Sequence, residues 1–63
     1  MMRYQVITWT WDEGHDEQRE FNTLAEARAA ARVYRRERKC DGVGIYDFRL
    51  RVIRETIGDF QPI

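Results

Sequence analysis

Two hydrophobic rhythms divide the chain. Residues 3–11, R-Y-Q-V-I-T-W-T-W, are β-branched or aromatic at most positions and too short for a stable helix, so they read as a strand. A period of two puts Ile7, Trp9 and Trp11 on one side and Tyr4, Val6, Thr8 and Thr10 on the other. The charged run D-E-G-H-D-E follows, and its single glycine, Gly14, suits a turn. Residues 17–21, E-Q-R-E-F, then return as a short edge strand whose charges discourage pairing with other chains.

The rhythm changes to 3.6 over residues 21–39. Leu24, Ala27, Ala30, Ala31 and Tyr34 fall on one arc of a helix, and Arg28, Arg32, Arg35, Arg36 and Lys39 on an adjacent one. Thr23 followed by Glu26 is a capping box that satisfies free amides of the first turn, and losing the Thr costs about 1 kcal/mol. Gly42 is the expected left-handed cap at the other end. An alanine face brings the helix axis low over the sheet, and native packing density then calls for bulky side chains beneath it. On that ground the helix is expected to cover Ile7, Trp9 and Trp11, leaving Tyr4, Val6, Thr8 and Thr10 as an exposed interaction face.

Period two resumes in V-G-I-Y-D and R-V-I-R-E-T-I, residues 43–47 and 51–57. Asp47 at the first position of a type I turn is the signal that separates them. Gly44 inside a strand implies that something packs closely over it, expected to be the helix. The tail I-G-D-F-Q-P-I has two large apolar residues and can fold back onto the sheet. The chain thus predicts one α+β domain over residues 1–63, one helix packed on a three- to four-stranded, mainly antiparallel sheet. Its order is ββαββ, or βαββ if residues 17–21 are not a strand.

The spacing of Phe21, Thr23, Glu26, Ala27 and Ala31, followed by Ile45, Tyr46, Asp47, Gly58 and Phe60, resembles short uncharacterised bacterial and phage-type proteins built from strands, one helix and a final hairpin. The resemblance implies that fold and carries no activity.

Charge changes the picture only locally. Eleven basic and eleven acidic residues cancel, which disfavours a surface tuned throughout to nucleic acid. They are segregated, however: residues 1–22 hold two basic and five acidic residues, and residues 23–39 hold six and two. Ten of the eleven cations are arginine, the side chain best suited to paired contacts with phosphate or carboxylate. Arg28, Arg32, Arg35, Arg36 and Lys39 are therefore the candidate phosphate-contacting flank. Their other reading is that they solvate the helix, pair with the acidic hairpin and favour the helix dipole.

Candidate chemistry is sparse. The chain has no serine, one His and one Cys, so no catalytic, cofactor or metal residue is assigned. The acidic run from Asp12 to Glu20 matches neither a calcium loop nor a zinc pattern. The lone Cys40 permits no internal disulfide and fits a reducing, cytoplasmic setting, and no stretch is apolar enough for a membrane span. Strands with apolar residues on both faces and only one helix to cover them point to a non-enzymatic interaction or accessory module. Its expected partner is a second copy, as a homodimer, or another protein. Nucleic acid on the arginine flank is the alternative.

Overall fold

The computed structural model describes residues 2–62. Five elements follow in order: β1 Tyr4–Thr10, β2 Gly14–Phe21, α1 Leu24–Glu37, β3 Gly42–Asp47 and β4 Val52–Gly58. The strands form one antiparallel sheet in the order β2-β1-β3-β4, and α1 packs on it, giving the expected ββαββ arrangement. The molecule measures 30 × 22 × 16 Å. Its least dimension suits two layers, so one face of the sheet has no second layer of secondary structure.

Local chemistry sets the element ends. β2 begins three residues earlier than the sequence suggests, because Gly14 takes a φ of 79° and reverses the chain immediately after a short turn. The Glu13 amide donates to Thr10 Oγ1 at 2.9 Å within that turn. Thr23 caps α1 by accepting from the Glu26 amide at 3.2 Å, while the Glu26 carboxylate accepts a hydrogen bond from the Thr23 hydroxyl and not from a free amide. The helix stops at Glu37 with Arg38 in extended backbone. Gly42 is therefore not its cap and opens β3, pressed against the Asp59–Phe60 backbone so closely that any Cβ would collide.

The helix covers the opposite face from the one expected. Ala27 and Ala31 are fully buried against Tyr4, Val6, Val43 and Ile45, with Phe21, Leu24, Tyr34, Cys40 and Ile57 around them. The register explains the choice. Tyr4, Val6 and Thr8 share a face with Asp47, Ile45 and Val43 of β3, whereas Ile7 and Trp9 stand opposite Gly44 and Gly42. An alanine helix needs bulk beneath it across several strands, and only the Val6 face provides it on both central strands. Tyr4 and Val6 are accordingly buried under the helix, Thr8 is buried beside β2 and Thr10 is half-buried, so these four residues do not form an exposed interaction face.

Two β-bulges shape the sheet. Opposite Val6, β2 inserts Gln18 and Arg19 where one residue would suffice, because Gln5 pairs Glu20 while Ile7 pairs Glu17. In β4 the extra residue is Arg54, between the pairs Ile45–Glu55 and Tyr46–Ile53.

Candidate interaction surface

The face away from the helix is built from Gln5, Ile7 and Trp9 of β1, Gly42, Gly44 and Tyr46 of β3, and His15, Glu17 and Glu20 of β2. One half of it is closed by the chain's own tail. The Phe60 ring lies over Gly44, where a Cβ would come within 2.7 Å of it, so Gly44 marks the seat of the tail and not of the helix. His15 packs edge-on to Phe60 with centroids 5.2 Å apart, and its Nε2–H donates to the Gln61 carbonyl at 2.7 Å. Trp9, beside this strap, is only 6% exposed, while its edge-on neighbour Trp11 stands 64% exposed at the rim.

The other half is open. Ile7 and Gln5 floor a depression of about 600 Å³, walled on the β3 side by Tyr46 and Phe48 and on the β2 side by Glu17 and Glu20, with His15 lining it next to the Phe60 strap. Tyr46 and Phe48 meet edge to face with centroids 5.2 Å apart, which holds both rings in place. The β2 bulge brings the two carboxylates together. Residues 17 and 20 differ by an odd number and would otherwise point to opposite sides, but the extra residue resets the alternation so that both flank β1 on one face. No salt bridge or side-chain hydrogen bond engages Glu17 or Glu20 among the described residues.

On the helix side, by contrast, the carboxylates Asp47 and Glu55 are paired with arginine within the chain. Asp47 has no exposed surface and receives Arg3 through Nε at 3.2 Å and Nη2 at 3.1 Å, Arg54 through Nη1 at 3.1 Å, and the amides of Arg49 and Leu50 at 2.9 and 3.2 Å. The Arg3 hydrogen bonds, ahead of the Leu50 amide, Arg54 and the Arg49 amide, hold its carboxyl far below the usual carboxylate range despite desolvation. Arg3 is raised in turn by Asp47. The sequence suggests only the turn role of Asp47; its two arginine partners are visible only in three dimensions.

Of the candidate phosphate flank, Arg28 is paired within the fold and Arg35 touches it, whereas Arg32, Arg36 and Lys39 are exposed with no hydrogen bond or salt bridge among the described residues. The Arg28 guanidinium binds the Glu55 carboxylate of β4, with Nε at 2.9 Å from both oxygens and Nη2 on one of them, which raises Arg28 and lowers Glu55. Arg35 leans on the Cys40 carbonyl at 3.4 Å and against Gly58. Arg36 and Lys39 line a cleft near the acidic residues Asp12, Glu13 and Asp41, and Arg32 flanks a groove beside Val43 and Ile57. Cys40 sits half-buried at the edge of the helix-side core, across the sheet from His15, and the two are not brought together. Among the described residues no three His, Cys, Asp or Glu side chains form a metal-ligand cluster, and no helix is long and apolar enough to cross a membrane.

The chain matches no protein-family model, no curated protein and no solved structure.

Proposed function

We propose that this protein is a non-enzymatic, cytoplasmic interaction module whose contact surface is the sheet face opposite α1. The observation that carries the reading is the open half of that face. Ile7 is almost fully buried beneath rings that are themselves half exposed, and two carboxylates beside it lack partners among the described residues. Surfaces of this kind, apolar at the centre with a polar rim, are the usual anatomy of a protein contact.

Self-association through this face is a less favourable version of the same reading. The tail already closes the Trp9–Gly44 half, which leaves little apolar area for a sheet-to-sheet contact between copies. A different protein is the favoured partner. Binding of nucleic acid along α1 is supported less, because Glu55 occupies Arg28 and the acids Asp12, Glu13 and Asp41 border Arg36 and Lys39.

A random-peptide display library panned on the wild type, with counter-selection on the Tyr46→Ala/Phe48→Ala variant, tests the reading. The expected result is selected peptides that shift the backbone amides of β1, β2 and β3 around Ile7 and lose binding in the variant. Peptides that shift only α1 amides, or no enrichment over the variant, would contradict it.

A further inference from the structure

Aromatic rings on the two sides of this sheet are treated differently. On the helix side the chain places an arginine over each of three rings: Arg3 over Tyr4 at 5.1 Å, Arg19 over Phe21 at 5.5 Å and Arg38 over Tyr34 at 4.9 Å. The helix-side carboxylates Asp47 and Glu55 likewise hold arginine. On the open face both halves of that pairing recur without an arginine, the only other basic side chain lining the depression among the described residues being His15, whose Nε2–H is given to the Gln61 carbonyl. Tyr46 and Phe48 have no guanidinium over them, and Glu17 and Glu20 have none beside them, among the described residues.

Strand spacing sets the two walls about 10 Å apart, because β1 lies between β2 and β3. A planar guanidinium can stack on one wall while donating to a carboxylate of the other, combining a cation–π contact with a charge-assisted hydrogen bond. Apolar neighbours of that arginine would lie against the exposed edges of Tyr46 and Phe48. We infer that the depression between Glu17, Glu20, Tyr46 and Phe48 receives an arginine side chain from an apolar peptide segment of a partner protein. The inference rests on the proposed interaction role of this face and names the chemistry of what binds there. Charge complementarity selects the occupant, since two carboxylates without a partner among the described residues disfavour an acidic peptide or a phosphate backbone at this position.

The probe is the peptide acetyl-Gly-Leu-Arg-Leu-Gly-amide, titrated into uniformly ¹⁵N-labelled protein beside its citrulline counterpart, which keeps the shape and hydrogen-bonding plane but lacks the charge. Shifts are expected at the amides of Gln5, Ile7, Glu17, Glu20, Tyr46 and Phe48. Binding is expected to be about tenfold weaker for citrulline, about tenfold weaker in Glu17→Gln/Glu20→Gln, and weaker as salt rises. The double variant changes two exposed side chains, so an unchanged melting curve verifies its fold.

Equal affinity for citrulline, unchanged binding by the double variant, or absence of shifts on this face would overturn the inference. If library-selected peptides bind the face without needing a cation, the arginine site fails while the interaction role stands. If nothing binds the face, both fail. A concentration-dependent dimer in which Arg32→Ala or Arg36→Ala abolishes association would instead identify a second copy as the donor and overturn the assignment to a different protein.

Discussion

The two faces of this small sheet show how one chain finishes one surface and leaves the other incomplete. Under α1, small helix residues lie on large strand residues, and the charges around them, Asp47 with Arg3 and Arg54, Glu55 with Arg28, are neutralised within the fold. Across the sheet, the tail closes one half through the ring contact of Phe60 with His15 and hydrogen bonds from His15 to the Gln61 carbonyl and from the Asp59 amide to the Asp41 carbonyl, and the rest lies open. The difference follows largely from β3, whose G-V-G-I alternation gives bulk to one face and none to the other. Glycines on the open side admit the tail ring at Gly44 and the tail backbone at Gly42. Packed core and open surface are thereby assigned to opposite sides of the same strands.

The largest effect expected from breaking this contrast is at Asp47. Asp47→Asn leaves two arginines facing a neutral group in a site with no exposed surface, and should lower the melting temperature by at least about 15 °C, read by circular dichroism. The same carboxylate sets an acid limit. Its pKa is depressed in the folded chain, so its stabilisation is complete above the unfolded value of about 3.9 and is lost as pH falls from there toward the lower folded value. The wild type should accordingly lose stability steeply below about pH 4, and Asp47→Asn should show a flatter slope in urea titrations over that range.

Next comes Ala31, buried completely beneath the helix. Ala31→Leu should cost about 2 to 3 kcal/mol in urea unfolding by forcing α1 off the Val6 face. If the helix instead lay over Ile7 and Trp9, the loss would be accompanied by changes in Trp9 fluorescence, and no such change is expected.

On the strapped half the effects should be smaller. Phe60→Ala should cost about 1 to 2 kcal/mol in the same assay and expose Trp9 to acrylamide quenching. Gly44→Ala should expose Trp9 in the same way, because its methyl group displaces the Phe60 ring. The smallest change is favourable. Arg51 holds a φ of 58°, a conformation that costs a side-chain residue but not glycine, so Arg51→Gly should raise stability by about 0.5 to 1 kcal/mol.

Much of the fold was legible in local signals. The Thr23–Glu26 cap, the alanine periodicity and the period-two runs define the helix and the strands along the chain, because each is written in neighbouring residues; the order of the strands in the sheet is not. Two other features were not legible. Both bulges depend on pairing between strands, so a strict period of two separates Glu17 from Glu20 and hides Arg54 from Asp47. The covered face was misjudged for a different reason. Trp9 and Trp11 have bulk, but bulk under a helix must be continuous across strands, and the glycines at positions 42 and 44 interrupt it beside Trp9 and Ile7. That signal is present in the sequence once β1 and β3 are placed side by side.

The central claim is that α1 closes the Val6 face and the tail closes only half of the other. A nuclear Overhauser spectrum of the ¹³C-labelled protein tests it most directly. Contacts are expected from the Ala31 methyl group to Val6 and Ile45, and from the Phe60 ring protons to the Gly44 α-protons, with no helix contact to Ile7. Contacts from the Ala31 methyl group to Ile7 or Trp9 would contradict it.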